Sequence, residues 1–175
     1  MRGSPFSSLI VLLMLQGCTH YTPPFAGPTA KLRFVSLPGN RTEIHALVDA
    51  RCDGTPGATI AVVGEALRNA AGQGRSVGIP LSDPTSRTNA SEITLRSGQA
   101  FAAQIKAAKA PGPAGANWHY EQCNKRFVLT PQEGMNFEAQ LEQYNGGCTL
   151  NVFRISREAG TYVRRLADAE VTRCR

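Results

Sequence analysis

Hydrophobic and polar positions alternate most cleanly in the last third of the chain. Across Met135–Tyr144, Phe137, Ala139 and Leu141 fall on one side, and Glu138, Gln140 and Glu142 fall on the other. A period of two is the pattern of a half-buried strand, and it sends the glutamates to solvent. After the turn residues Asn145-Gly146-Gly147, Cys148–Ile155 is expected as the return strand. Thr161–Leu166 and Glu170–Cys174 add one or two short strands. Earlier in the chain, Lys31–Leu37 and Glu43–Ala50 are strand-like and are separated by Leu37-Pro38-Gly39-Asn40. Thr59–Val63 suits a buried strand, and Trp118–Thr130 is rich in aromatic and β-branched residues. Ser91–Arg96 and Ala100–Ala107 flank Ser97-Gly98-Gln99, which is a hairpin signal. Helix formers over Glu65–Ala71 allow one or two helical turns, ended by Gly72 and Gly74. Loops are expected at Cys52–Gly57, Pro80–Ala90 and Ala107–Asn117, and no internal repeat is present. About eight short strands with turn residues between them predict a mainly β protein. The expected architecture is a single β-sandwich, immunoglobulin-like or transthyretin-like, with one short helix at most.

The first 18 residues follow a different rule. Arg2 is followed by the unbroken apolar run Leu9–Leu15. Seven apolar residues fall far short of the roughly 20 that span a bilayer, but they suit the apolar core of an export signal. The run ends in Leu15-Gln16-Gly17-Cys18, which resembles the lipobox of bacterial lipoproteins. That resemblance implies cleavage after Gly17, acylation of Cys18 and a membrane partner reached through the lipid. Thr19, rather than aspartate, follows the cysteine, which by the same resemblance implies sorting to the outer membrane; the domain is separately expected to face the periplasm. Residues 18–30 contain three prolines and few aliphatics, so they are expected to form a tether. The sandwich domain is then expected over 31–175.

A chain beginning at Cys18 has 158 of the 175 residues, enough for one domain with its own core. It keeps 18 basic against 13 acidic side chains, since only Arg2 is lost. Such a mild excess keeps a domain soluble and also favours anionic surfaces. Nucleic acid is disfavoured as a partner by the expected location. Beyond Cys18, four cysteines remain: Cys52, Cys123, Cys148 and Cys174. An even number in an exported domain suggests two disulfides. Four cysteines allow three pairings, of which Cys123–Cys148 with Cys52–Cys174 is the favoured one. There is no CxxC pair, and His119 alone lies close to one of these four cysteines, so no metal site and no cofactor is expected.

Two further resemblances are short. Thr130–Phe137, with Gly134 three residues before an aromatic, is similar to the corner of immunoglobulin-like and transthyretin-like domains. Phe137 lacks the hydroxyl that a tyrosine brings to that corner. The order Cys123, Phe127, Pro131, Gly134, Cys148 resembles small envelope lipoproteins of proteobacteria, a group that brings no activity with it.

Chemistry-bearing patterns are few. Gly74-Arg75-Ser76-Val77-Gly78 fits the G-x-S-x-G pattern, but a nucleophile elbow needs strand, turn and helix, and Pro80 follows at once. A glycine-rich turn is therefore expected, and no catalytic residue is assigned. His45 is expected as an ordinary strand residue. Glu133, Glu138 and Glu142 have no feature that marks a catalytic pair. Trp118, His119 and Tyr120 form a cluster able to stack on a sugar ring or to pack in a core. The six arginines from Arg154 to Arg175 face only Glu158, Asp168 and Glu170, an excess that suits either a solvated edge or an anionic surface. The expectation is a non-enzymatic envelope lipoprotein that holds a protein partner or supports an assembly. A module binding cell-wall glycan or lipopolysaccharide through Trp118, His119, Tyr120 and the arginines is the alternative.

Overall fold

The computed structural model describes residues 26–37, 40–64, 75–81, 89–109, 123–144 and 147–174. These residues form ten strands and no helix. In chain order they are β1 Thr29–Val35, β2 Asn40–Leu47, β3 Pro56–Gly64, β4 Ala90–Arg96 and β5 Phe101–Lys109. They continue with β6 Cys123–Leu129, β7 Asn136–Tyr144, β8 Gly147–Glu158, β9 Thr161–Leu166 and β10 Val171–Arg173. Two five-stranded sheets result, one ordered β4-β1-β7-β8-β9 and the other β10-β6-β5-β2-β3. The protein is thus the mainly β, two-sheet sandwich that the alternation indicates. All pairs are antiparallel except β1 with β7.

The core lies between the sheets. Leu32, Phe34, Ile93, Phe137 and Val152 face it from the first sheet, and Ile44, Val63, Ile105, Phe127 and Leu129 from the second. Phe127 and Phe101 meet edge to face, with ring centroids 6.4 Å apart. Each of these side chains contributes roughly 1.5–3 kcal/mol by leaving water.

Four local expectations need adjustment. β1 begins at Thr29, inside the stretch expected to be tether, because Thr29 and Ala30 pair with Arg96 and Leu95 of β4. β2 starts and ends about three residues early, and the chain turns at Ala50 with a positive φ of 49°. β8 runs on to Glu158, because Ala159 and Gly160, both at positive φ, close a two-residue hairpin that holds Glu158 opposite Thr161. Ser97-Gly98-Gln99 does not close a hairpin: β4 pairs with β1, whereas β5 pairs with β2 and β6 in the opposite sheet. Ile93 and Leu95 on one side and Ala103 and Ile105 on the other must all reach one core, so the turn arches between sheets. Its backbone is fastened by Ser97 N–H to Pro28 O and Gly98 N–H to Pro131 O. The expected helix at Glu65–Ala71 lies outside the described residues.

The disulfides join Cys52 to Cys174 and Cys123 to Cys148, the favoured pairing. Cys123 opens β6 and Cys148 lies on β8, so this bond ties one sheet to the other across the core. Cys52–Cys174 fastens the β2–β3 loop to the chain just after β10. Arg126 on β6 supports the same loop by donating to the Cys52 and Gly54 carbonyls at 3.1 and 3.2 Å.

The bonds close loops of very different length, with sequence separations of 25 and 122. Chain-entropy reasoning therefore gives the longer loop the larger effect, within a usual range of about 2–4 kcal/mol per bond. In urea unfolding, Cys52→Ala/Cys174→Ala is expected to lose more stability than Cys123→Ala/Cys148→Ala. The reverse order would show that the inter-sheet bond acts mainly on the native state.

Candidate functional site

The densest polar site is built on the outer face of the first sheet. Arg33 is central in β1, between Glu92 of β4 and Glu138 of β7. The register places all three directly opposite one another, on the face turned away from the core. On an uncovered sheet they would be solvated. Here Arg33 is 2% exposed, Glu92 5% and Glu138 0%.

Segment 75–81 helps to bury them. It has no regular secondary structure, and it is held to the edge of β4 by Glu92 N–H donating to Arg75 O at 2.8 Å. Four donors from this segment converge on Glu92 Oε2: Ser76 Oγ at 3.1 Å, Val77 N–H at 2.6 Å, Gly78 N–H at 3.0 Å and Ile79 N–H at 3.2 Å. Gly78 has φ +81°, a left-handed conformation that turns successive N–H groups toward one anion. The other carboxylate oxygen, Oε1, accepts from Arg33 Nε at 2.9 Å and Nη2 at 2.7 Å.

Arg33 has no donor to spare. Its Nη1 donates to Glu138 Oε2 at 3.2 Å and Pro80 O at 3.3 Å, and Nη2 also donates to Ile79 O. A guanidinium has five N–H groups, and five contacts are present. Glu138 is completed from outside by Arg164 of β9, whose Nη1 lies 3.1 Å from Oε1. Arg164 also donates to Gln140 and stacks over the Phe153 ring at 4.7 Å. Two cations and two anions therefore balance.

Burial alone would raise the pKa of Glu92. The Val77 N–H, the Arg33 guanidinium and the Ile79 N–H outweigh it and hold the carboxyl below its ordinary value of 4.5. Glu92 is therefore an ionised anchor, and six donors occupy its two oxygens. A general acid or base needs a pKa near the working pH and an open approach. This carboxylate has neither property, and what it does chemically is fix segment 75–81 to the sheet.

The structure redistributes the sequence candidates. Ser76 serves as a ligand of Glu92. The described histidine, His45, is on the other sheet, with Nδ1 3.2 Å from Thr59 Oγ1 and Nε2 3.8 Å from Glu43. Glu133 and Glu142 are exposed as expected. Glu138 is not: it lies on the outer side of its strand but is covered through Arg33 and Arg164, so the solvent-facing expectation fails for it. Among the C-terminal arginines, Arg154 pairs with Glu170, Arg165 with Glu158 and Arg173 with Asp168. Cys18, Trp118, His119 and Tyr120 lie outside the described residues. Among the described residues, no group of three or more His, Cys, Asp or Glu is placed to hold a metal ion.

Sequence reasoning missed Arg33 and Glu92. Each reads as an ordinary charge on the polar side of a strand. Only the pairing of strands 59 and 105 residues apart brings them together.

Fold and site together define a disulfide-stapled β-sandwich with a buried, neutral charge network on one outer face. No family model matches the chain, and no curated protein matches it. Functional inference therefore rests on the residues themselves.

Removing one partner of a buried ion pair strands the other, at a cost of about 3–5 kcal/mol. Arg33→Met is expected to lower stability by that order, and Glu92→Gln by less, because the amide still accepts hydrogen bonds. The pH dependence has a definite sign. A carboxyl with a lowered folded pKa contributes fully above its unfolded value and loses that contribution as pH falls through the folded one. The stability gap between the native chain and Glu92→Gln should therefore be constant above pH 4.5 and shrink below it in denaturant titrations. A gap that widens on acidification would contradict the lowered pKa.

Proposed function

We propose that this chain is a lipid-anchored lipoprotein of the bacterial cell envelope, whose sandwich domain holds a protein partner or supports an envelope assembly without catalysing a reaction. The observation that carries the reading is Leu15-Gln16-Gly17-Cys18, placed directly after a seven-residue apolar run. Cleavage after Gly17 and acylation of Cys18 would leave a Pro-rich segment between the lipid and β1. More than one acyl chain on a single cysteine gives lasting attachment, since each buried CH₂ contributes about 0.8 kcal/mol. An outer-membrane position follows from Thr19 under the sorting rule of enteric lipoproteins, and the domain would face the periplasm.

Two disulfides are compatible with an oxidising, extracytoplasmic compartment. Among the described residues, no helix is long and apolar enough to cross a membrane. The non-catalytic part of the reading is supported by Glu92 and Ser76. They sit in the most elaborate polar site described, and their hydrogen-bonding capacity is taken up by the fold.

The anchor is tested by labelling cells that express the chain with radioactive palmitate. The native chain should carry label and fractionate with outer membranes, whereas Cys18→Ser should be unlabelled and soluble. Label retained by Cys18→Ser, or a native chain recovered unlabelled in the soluble fraction, would refute the anchor.

A further inference from the structure

Sheet edges differ sharply in how they are finished. The edge of β4 is engaged by segment 75–81, through Glu92 N–H and Arg75 O. On β3, residues Ile60 to Gly64 are buried, and β10 has only three residues. β9 is different: it ends the first sheet among the described residues, and five of its six positions are exposed.

The orientation of its backbone follows from one hydrogen bond. Ala167 N–H donates to Val152 O at 2.9 Å, in register with the β8–β9 ladder. Opposed residues in an antiparallel ladder alternate between pairs that exchange hydrogen bonds and pairs that do not. Arg165, Val163 and Thr161 therefore direct their N–H and C=O groups to β8. Leu166, Arg164 and Tyr162 direct theirs away from it, to the open edge. Tyr162 and Leu166 are also two of the four large hydrophobic side chains that the described residues expose, at 42% and 51%.

We propose that β9 is a docking edge for an extended acidic segment of another protein, which adds to the sheet as an antiparallel strand. Charge selects the occupant. Of the four arginines on the β8–β9 hairpin, Arg154, Arg164 and Arg165 pair with Glu170, Glu138 and Glu158, which leaves Arg157 in excess. Arg157 is exposed and has no ion-pair partner among the described residues. A second copy of this chain fits poorly: antiparallel pairing centred on Arg164 sets that residue against its own counterpart, and pairing centred on Val163 brings no acidic residue to Arg164 or Arg165. The incoming strand needs an acidic residue opposite Arg164 and another opposite Arg165, whose side chains are 36% and 68% exposed and can be shared with Glu138 and Glu158. It needs apolar residues opposite Tyr162 and Leu166, on the same face as the first acid.

The proposal rests on reading the domain as one that holds a partner, but not on the lipid, so palmitate labelling and peptide binding fail independently. The probe is a fluorescent, end-blocked peptide Thr-Val-Glu-Glu-Thr-Val-Thr, titrated against the intact oxidised chain by anisotropy. Saturable binding is expected, lost when both glutamates are replaced by lysine. Tyr162→Pro removes an N–H that points at the peptide and leaves the β8 ladder intact, so it should weaken binding at least ~10-fold. Arg165→Glu, which sets a like charge against the peptide's first glutamate, should weaken it as well and serves if the proline variant does not fold. Absence of saturable binding would overturn the proposal, as would equal affinity for native chain and Arg165→Glu. Binding unchanged in folded Tyr162→Pro would reduce it to charge attraction without strand addition. A native chain that sediments as a dimer, and becomes monomeric in Tyr162→Pro, would replace the acidic partner with a second copy.

Discussion

A guanidinium buried between two carboxylates on the outside of a sheet is the constraint that shapes this molecule. An unpaired charge removed from water costs several kcal/mol, so Arg33 is stable there only with every donor matched. Glu92 and Glu138 supply the opposite charges. The carbonyls of Ile79 and Pro80 take the remaining N–H groups. Covering those charges requires chain on top of the sheet, and segment 75–81 provides it. The backbone N–H groups of Val77, Gly78 and Ile79 gain a partner in Glu92 that an irregular segment cannot find in a ladder. Charge burial and placement of the segment thus depend on each other.

The same network reaches the open edge of the sheet. Glu138 is shared by Arg33 on its inner side and Arg164 of β9 on its outer side. Arg164 in turn lies across Phe153 of β8. The outward face of β9 is therefore set by a chain of contacts that begins at β4. The disulfides do related work by covalent means: Cys123–Cys148 ties the two sheets together, and Cys52–Cys174 fixes the loop that Arg126 supports. A domain held this way can present a rigid strand edge, which suits the proposed role of holding a partner.

Much of the fold is legible in the sequence, because a half-buried strand writes its burial into alternate residues. Phe137, Ala139 and Leu141 point to the core as their spacing requires. Strand ends are less legible: β8 overruns its apolar pattern because Ala159-Gly160 makes a tight hairpin without the usual asparagine. Which sheet a strand joins is not written locally. Ser97-Gly98-Gln99 has the residues of a hairpin and forms an arch, since the core must be closed from both sides. The charge network is hidden for a related reason. Alternation places Arg33, Glu92 and Glu138 on the polar side correctly, but it cannot say that this side is covered or which strands are neighbours. The lipobox-like Leu15-Gln16-Gly17-Cys18 shows the opposite limit, being legible as letters with no dependence on the fold.

Ionised Glu92 pins segment 75–81 to the sheet. Hydrogen exchange at the amides of Val77, Gly78 and Ile79 tests this most directly, by NMR on the native chain and on Glu92→Gln. Strong protection is expected in the native chain above pH 5, well beyond that of an irregular surface segment. In Glu92→Gln, protection should fall at these three amides while Leu32 and Phe137 in the core stay protected. Amides that exchange freely in the native chain, or keep their full protection in Glu92→Gln, would contradict the account.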